Sequence, residues 1–438
     1  MRSELALKIK NHRLWLPKEI QKNIGKEFIE ITIRKDGTNE KFLTKLTNDG
    51  RFFIPKEIRK KMDLKHDDNV DVSVEMIRNL QRSVSHLKGK KFDMLSFIPK
   101  KTMSDFDIHV NADNGRLKLW YSTKGRPNEI IIRRFVPLEF ARLLGYYQAE
   151  GGKLRLKKRR GRELSFTNKS KTLVSDFIKL SEYILDENVW KCSIRHEKNI
   201  EREKLNEAKR FAVSLGIEKE NISVSPAERI SSFTFRLWIT NSLLAEIVSN
   251  MADISRKKLY KNSEINRYFL QGLLAGDGSF FSHRDKNGSL HSRMYVYEAK
   301  KNYAEDYNKL LSEFDLDCNI KKDRMKNFYI MTRSVNWENL VTLYDKRLFI
   351  LSKKHHENII NTIKGHKRYR ALKHFKNLPD EFENSLCRKI TGKDETYVAG
   401  WLRDRAKDGM IERAGFRKWV ILNSGIEVRK FLNKLQSG

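Results

Sequence analysis

Leu143-Leu144-Gly145-Tyr146-Tyr147-Gln148-Ala149-Glu150-Gly151 and Leu270-Gln271-Gly272-Leu273-Leu274-Ala275-Gly276-Asp277-Gly278 decide the fold of this chain. Each stretch predicts a helix with small residues four apart: Gly145 and Ala149 in one, Gly272 and Gly276 in the other. Each ends on one carboxylate followed by a glycine. Residues four apart share a helix face, so each helix carries a strip along which a partner backbone can approach closely. Packed strip to strip, the two helices bring Glu150 and Asp277 together at one end. Paired carboxylates there suit divalent cations, and the glycines turn the chain away. That arrangement fits phosphodiester hydrolysis, although two packed core helices with solvated acids have the same pattern.

The nonamers resemble the signature of the LAGLIDADG homing endonucleases, in the form that carries both motifs in one chain. The first copy keeps the family's leucine, glycine, alanine, acid and final glycine, with Glu for Asp; the second keeps Asp and has Gly where Ala is usual. The acids lie 277 − 150 = 127 residues apart, room for one α/β repeat. The resemblance implies site-specific cutting of both strands of duplex DNA, one acid serving each strand. Glu150 and Asp277 are then metal ligands, with the carbonyls of Ala149 and Gly276 as further oxygen donors. Oxygen ligands at a phosphodiester favour Mg²⁺ (or Mn²⁺) over zinc. The family also places a basic residue at the rim of each site. Lys353, in Ile350-Leu351-Ser352-Lys353-Lys354-His355-His356, fits that role as a stabiliser of the transition state or as a plain phosphate contact, and Lys257-Lys258 is the looser match in the first half.

Composition points to the same partner. Lys+Arg 89 against Asp+Glu 56 gives a formal charge of +33, and such an excess favours a polyanion through counterion release. Across 438 residues, 39% of them hydrophobic, there is material for two to four cores. Cys192, Cys318 and Cys387 are scattered and odd in number, which argues against a disulfide framework or a cysteine zinc site and fits a reducing cytoplasm. His355 and His356 adjoin and so point apart on a helix, which disfavours a histidine metal pair. No apolar run has the length of a membrane span.

Residues 1–78 contain an internal repeat. Arg13-Leu14-Trp15-Leu16-Pro17-Lys18-Glu19-Ile20 recurs as Arg51-Phe52-Phe53-Ile54-Pro55-Lys56-Glu57-Ile58, an offset of 55 − 17 = 38. Each unit predicts strand, proline-initiated helix, strand. The second copy resembles the AbrB/SpoVT swapped-hairpin DNA-binding family, which implies two interleaved units in a small β-barrel and DNA contacts from Arg13, Arg51 and Lys56. Residues 79–135 predict a bridging β region, with strands at 116–123 and 129–135 and a turn at 124–127.

Residues 136–262 and 263–370 predict two α/β repeats. In the first, strands are expected at 164–167 and 232–240, helices at 170–185 and 242–251, and an extra helix near 199–216; in the second, strands at 293–297 and 327–332, with helices near 302–314 and 336–344. Alternation in Lys153-Leu154-Arg155-Leu156-Lys157 predicts a strand with one basic face that runs on into Arg159 and Arg160. Its counterparts in the second repeat are Arg284, Arg293, Lys322 and Arg324, and these four together with Arg155, Lys157, Arg159 and Arg160 are candidate DNA contacts. Residues 375–438 predict a winged helix: helices 381–390 and 394–407, a hairpin over 411–422 and a closing helix 426–435. Val398, Trp401 and Leu402 should face its core, with Arg403 and Lys407 opposite.

The expected fold is therefore α+β: two pseudo-twofold LAGLIDADG repeats forming a DNA-binding saddle, flanked by a barrel-like domain and a winged helix. The expected protein is a monomeric, cytoplasmic endonuclease acting on double-stranded DNA, away from membranes. A transcriptional regulator on a repurposed nuclease scaffold, or an intron RNA maturase, are the alternatives.

Overall fold

Pro17 and Pro55 each stand just before a helix and just after a short strand, and around them the internal repeat takes shape. The strands and helices are β1 (Arg2–Lys8), β2 (Arg13–Trp15), α1 (Lys18–Ile24), β3 (Phe28–Lys35), β4 (Thr38–Lys45), β5 (Arg51–Phe53), α2 (Lys56–Lys61) and β6 (Asn69–Met76). This computed structural model describes residues 2–24, 28–47, 49–76, 85–100, 108–123, 126–151, 163–186, 189–227, 232–257, 261–323 and 329–437. It divides into two compact units, Met1–Ser255 and Arg256–Gly438.

The first module is built by exchange between the repeat's two copies. Its sheet runs β1-β6-β3-β4, so the opening strand of each copy pairs with the closing strand of the other. A second, two-stranded sheet pairs β2 with β5. The amide of Leu16 donates to Gly50 O and that of Ile54 to His12 O, each at 3.2 Å, the same bond seen from either copy. Alternation sends Ile29, Ile31, Ile33, Val70, Val72 and Val74 inward onto Leu14, Leu16, Phe52 and Ile54. Gly50 needs its hydrogen: φ is +75°, and a Cβ would stand 2.0 Å from Gln21 Cδ.

The bridging region is two three-stranded sheets, made from β7 (Leu87–Lys88), β8 (Lys91–Asp93), β9 (Ile108–Asp113), β10 (Arg116–Thr123), β11 (Arg126–Arg133) and β12 (Phe135–Pro137). The second long strand starts at Arg126 rather than at residue 129, because Arg126 pairs with Thr123. Pro127 is tolerated there because β11 is an edge strand.

Next comes α3 (Ala141–Glu150), then β13 (Leu164–Asn168), α4 (Lys171–Ser181), β14 (Lys191–His196), α5 (Arg202–Ser214), β15 (Ile222–Pro226), β16 (Phe233–Ile239) and α6 (Ser242–Arg256). The sheet order is β13-β16-β14-β15. Helix α5, the expected insertion, crosses between β14 and β15, which are parallel, and so adds one outer strand. Helix α4 stops four residues earlier than its apolar spacing predicts. Ser181 donates its hydroxyl to Ile178 O at 2.6 Å and accepts the Trp190 indole N–H at 2.8 Å. Strand β14 escaped the sequence reading.

The second unit holds α7 (Ser263–Asp277), β17 (Gly278–Arg284), β18 (Leu290–Glu298), α8 (Lys301–Ser312), β19 (Asn319–Lys322), β20 (Tyr329–Ser334), α9 (Trp337–Asp345), α10 (Lys353–Gly365) and α11 (Lys367–Leu372). Its sheet order is β17-β18-β20-β19. The chain ends with β21 (Glu381–Glu383), α12 (Asn384–Thr391), α13 (Glu395–Lys407), β22 (Ile411–Gly415), β23 (Lys418–Ile421) and α14 (Asn423–Ser437). Here the helix expected from residue 381 begins at Asn384. Glu381–Glu383 is a strand on β23, with Phe382 buried opposite Trp419 and the Trp419 indole donating to Asn384 Oδ1 at 2.8 Å.

Candidate active site

Helix α3 is buried from Ala141 to Gln148 apart from the half-buried Arg142, and comes toward the surface again at Ala149 and Glu150. It stops because of Gly151, whose amide still donates to Tyr147 O at 3.0 Å while its ψ of 151° swings the chain into an extended bridge with Phe166. A Cβ at Gly151 would lie 2.2 Å from Tyr147 O. The second motif repeats this. Helix α7 is buried from Phe269 to Leu274, Asp277 is its last residue, and Gly278 enters β17 at φ −90°, ψ 151° opposite Val296. There a Cβ would lie 2.5 Å from Leu274 O. Both acids thus sit half-buried at a helix end whose next residue only glycine fits, Gly278 entering β17 and Gly151 making a bridge to β13. The last carbonyls of each helix, those of Ala149 and Gly276 among them, have no intrahelical donor.

Burial pushes the Glu150 carboxyl above its ordinary range. The side-chain amide of Asn168 donates to it at 3.3 Å. Asn168 ends β13, and its Oδ1 accepts the amide of Ser170, the residue that caps α4. In the second half Glu298 ends β18 and accepts the amide of Lys300 at 3.0 Å, the same bond two residues on. Glu298 also accepts the hydroxyl of Tyr307 at 3.1 Å. Burial first, then the charge of Glu298 and this hydrogen bond, and then the charge of Asp277, push that hydroxyl upward. A neutral amide beside one motif acid thus has a carboxylate as its counterpart in the other half. Neither residue was singled out from sequence, because strand ends carry no motif.

A divalent cation fits these donors. Glu150 is a partly desolvated carboxylate with a neutral neighbour, and an adjacent cation would remove the cost of its charge. Among the described residues no group of three or more His, Cys, Asp or Glu is clustered for a metal. His355 and His356 point to different elements: His355 Nδ1 lies 3.1 Å from Phe280 O, and His356 stacks on Tyr344.

Lys353 and Lys354 are the first two residues of α10, behind Ser352, whose side chain makes no capping bond. Cations at this end oppose the helix dipole, a local cost expected where an anion is to bind. Lys353 is exposed, with Glu357 at 3.9 Å. Helix α10 lies along β17 through His355 to Phe280, Thr362 to Ser282 and Arg284 to Gly365 O.

The outer face of the second sheet carries Arg293, with Phe281 opposite it on β17 and Ser334 on β20. Register puts Lys321 on that face, while Lys322 alternates to the other, level with the buried Glu298. Arg284 donates to Gly288 O and Gly365 O at 2.8 and 2.9 Å and so clamps the hairpin to α10. In the first sheet the outer face shows Lys191, Arg195, Arg236 and Trp238, all missed from sequence, with Arg236 over the Trp238 ring at 5.4 Å. Arg155, Lys157, Arg159, Arg160, Lys258 and Arg324 lie outside the described residues. Arg13 and Arg51 share the outer face of the β2–β5 pair, and Lys56 opens α2. Arg403 and Lys407 are exposed on α13, opposite the buried Val398, Trp401 and Leu402. Cys192, Cys318 and Cys387 are buried free thiols. Among the described residues no helix is long and apolar enough to cross a membrane.

Residues 264–367 match the family model described as a LAGLIDADG-like domain, and the second motif lies inside that segment. No curated protein matches the chain. Among solved structures, the homing endonuclease I-DmoI in complex with DNA and Mn is similar at 16% identity, over 48% of this chain and 97% of that one, with a TM-score of 0.29. Full-length DUF199/WhiA from Thermatoga maritima is similar at 13% identity, over 62% and 90%, with a TM-score of 0.30. PHS018 from Pyrococcus horikoshii is similar at 20% identity, over 18% and 96%, with a TM-score of 0.16.

Proposed function

We propose that this chain is a site-specific double-strand DNA endonuclease of the homing type. The observation that carries the reading is the duplicated helix end: a buried helix, one half-buried acid, and a glycine that no side chain could replace, each joined to a sheet with a basic outer face. In this reading residues 136–262 and 263–370 are pseudo-twofold repeats, with α3 and α7 paired along Gly145, Ala149, Gly272 and Gly276 and the two sheets forming one saddle over the duplex. Residues 1–78 are the AbrB-like module, 79–135 the bridge and 375–438 the winged helix, in one cytoplasmic monomer.

Glu150 and Asp277, with the carbonyls of Ala149 and Gly276, would hold Mg²⁺ or Mn²⁺. Such an ion lowers the pKa of a bound water and offsets the charge that develops on the leaving oxygen. Asn168 fixes the orientation of Glu150, and Lys353 on the uncapped N-terminus of α10 meets the phosphate. The outer-face cations Lys191, Arg195, Arg236, Arg293 and Lys321 hold the backbone of the duplex. Arg13, Arg51, Lys56, Arg403 and Lys407 extend the contact, and Arg155, Lys157, Arg159, Arg160 and Arg324 belong to the same reading. The role of Arg284 is chiefly to hold the β17–β18 hairpin.

The test is to incubate the intact chain with a random duplex library and Mg²⁺ and to sequence the ends produced. Defined double-strand ends support the reading. Tight, sequence-selective binding with no cutting would shift it to a regulator on this scaffold.

A further inference from the structure

The short β2–β5 ribbon has a face for which catalysis offers no use. Leu14 and Phe52 point inward and are fully buried, so alternation puts Arg13, Trp15, Arg51 and Phe53 outward. Arg13 stands opposite Phe53, with its guanidinium 4.2 Å from the ring centroid; Arg51 stands opposite Trp15, at 5.4 Å. Two large aromatics are therefore left 38% and 48% exposed, each beneath an arginine from the other copy of the repeat. Stacking of this kind holds a side chain that otherwise has wide rotamer freedom.

The geometry selects among partners. The ring face under each arginine is closed to a nucleobase, so the ribbon offers guanidinium edges rather than stacking platforms. Edges suit a groove, and platforms suit unpaired bases. A two-stranded ribbon enters the major groove, where a planar guanidinium matches guanine O6 and N7. Arg13 and Arg51 are diagonal across the pair, about 7–8 Å apart along the backbone diagonal, roughly two base steps. The two copies differ at one flanking position. Arg51 is ion-paired with Asp49, whereas the residue 38 places earlier, Asn11, is neutral.

We infer that the outer face of this ribbon reads two guanines on opposite strands of a duplex, about two base steps apart. Phe53 and Trp15 act as positioning residues that hold Arg13 and Arg51 flat, and Asp49 weakens the Arg51 half. The inference rests on the reading of residues 1–78 as a DNA-binding module.

The experiment uses the intact chain in EDTA, so that nothing is cut. Bound duplexes are selected from a random library, and affinities are then measured on the selected duplex and on one with both guanines replaced. Wild type should select the guanine pair. The double variant Trp15→Leu with Phe53→Leu keeps apolar bulk but no ring, and should lose about tenfold in discrimination while affinity for unrelated duplex stays within about twofold. Tyrosine at both places should restore discrimination, which a fold defect would not permit. Arg13→Ala should cost more than Arg51→Ala, and Asp49→Asn should strengthen the second guanine. Unchanged selection by the leucine variant, with the arginine variants impaired, overturns the inference alone. If the arginine variants also bind and select as wild type does, the DNA-binding reading of the module fails with it.

Discussion

Asn168 donates its side-chain amide to the Glu150 carboxylate at 3.3 Å, and its own oxygen is tied to the Ser170 amide at 2.8 Å, so the acid is met by a fixed donor rather than a mobile one. The matching strand end in the other half is Glu298, a carboxylate bonded to Tyr307. Two half-sites with different neighbours should not cut at one rate. Nicked duplex should accumulate before double-strand product, and Asn168→Ala should slow one strand by about tenfold while leaving the other near wild type. Denaturing gels with each strand labelled separately check both statements. Equal slowing of the two strands would mean that Asn168 acts through the fold.

Glu150 sets function against stability. Its carboxyl is raised by burial, so the folded state binds this proton more tightly than the unfolded chain does. The folded state therefore loses stability as pH rises through the raised value, and above it the charge is carried at a cost. Glu150→Gln should raise Tm in metal-free buffer near neutral pH and abolish or greatly slow Mg²⁺-dependent cutting, with duplex affinity largely kept. Asp277→Asn should also stop cutting. Thermal unfolding with and without Mg²⁺ supplies a second check, because divalent ion should stabilise wild type more than the glutamine variant.

The corners at Gly151 and Gly278 should resist even one methyl group. An added Cβ would sit 2.2 Å from Tyr147 O or 2.5 Å from Leu274 O, a backbone clash that no rotamer relieves. Gly151→Ala and Gly278→Ala should each cost about 1–3 kcal/mol in denaturant unfolding. Cleavage should fall by more than that loss explains, since the shift falls on the residue beside the acid.

The second unit should be the acid-labile one. His355, His356, His366 and His374 all have depressed pKa values, with burial as the first cause in each. A histidine kept neutral by the fold stabilises it fully above the unfolded pKa, near 6.5. That stability is lost as pH falls below this value, because the unfolded chain takes up the proton first. Between about pH 7 and 5 the residues of 256–438 should lose hydrogen-exchange protection ahead of the core of 1–255. His355→Gln should blunt the effect.

How much was legible in the sequence followed from how local each signal is. Pro17 and Pro55, the small-residue helices and their terminal glycines act within a few residues, and each stands where expected. Strand β14 was missed because Lys191-Cys192-Ser193-Ile194-Arg195-His196 is short, so the cations on the first sheet's outer face were missed with it. Asn168 and Glu298 matter only through tertiary neighbours. Arg284 shows the converse: its charge suggested phosphate, whereas two carbonyls satisfy it. A charge run also says nothing of register, so Lys321 and Lys322 read alike in the sequence and only the strand pairing separates them.

That register yields the sharpest test of the interface. Lys321 is level with Ile330 and Tyr297 on the face that carries Arg293, whereas Lys322 is level with Tyr329 and Glu298, whose side is the core. The two lysines are adjacent, equally charged and both exposed, so any argument from composition treats them alike. If the outer face lies on phosphates, Lys321→Ala should weaken duplex binding and reduce the slope of log K against log salt by about one, the release of one counterion. Lys322→Ala should change the slope by well under half of that. Arg293→Ala, on the same face, should resemble the Lys321 variant. Salt titrations of the three variants on one duplex decide the matter, and equal slopes for Lys321→Ala and Lys322→Ala would remove this sheet face from the DNA interface.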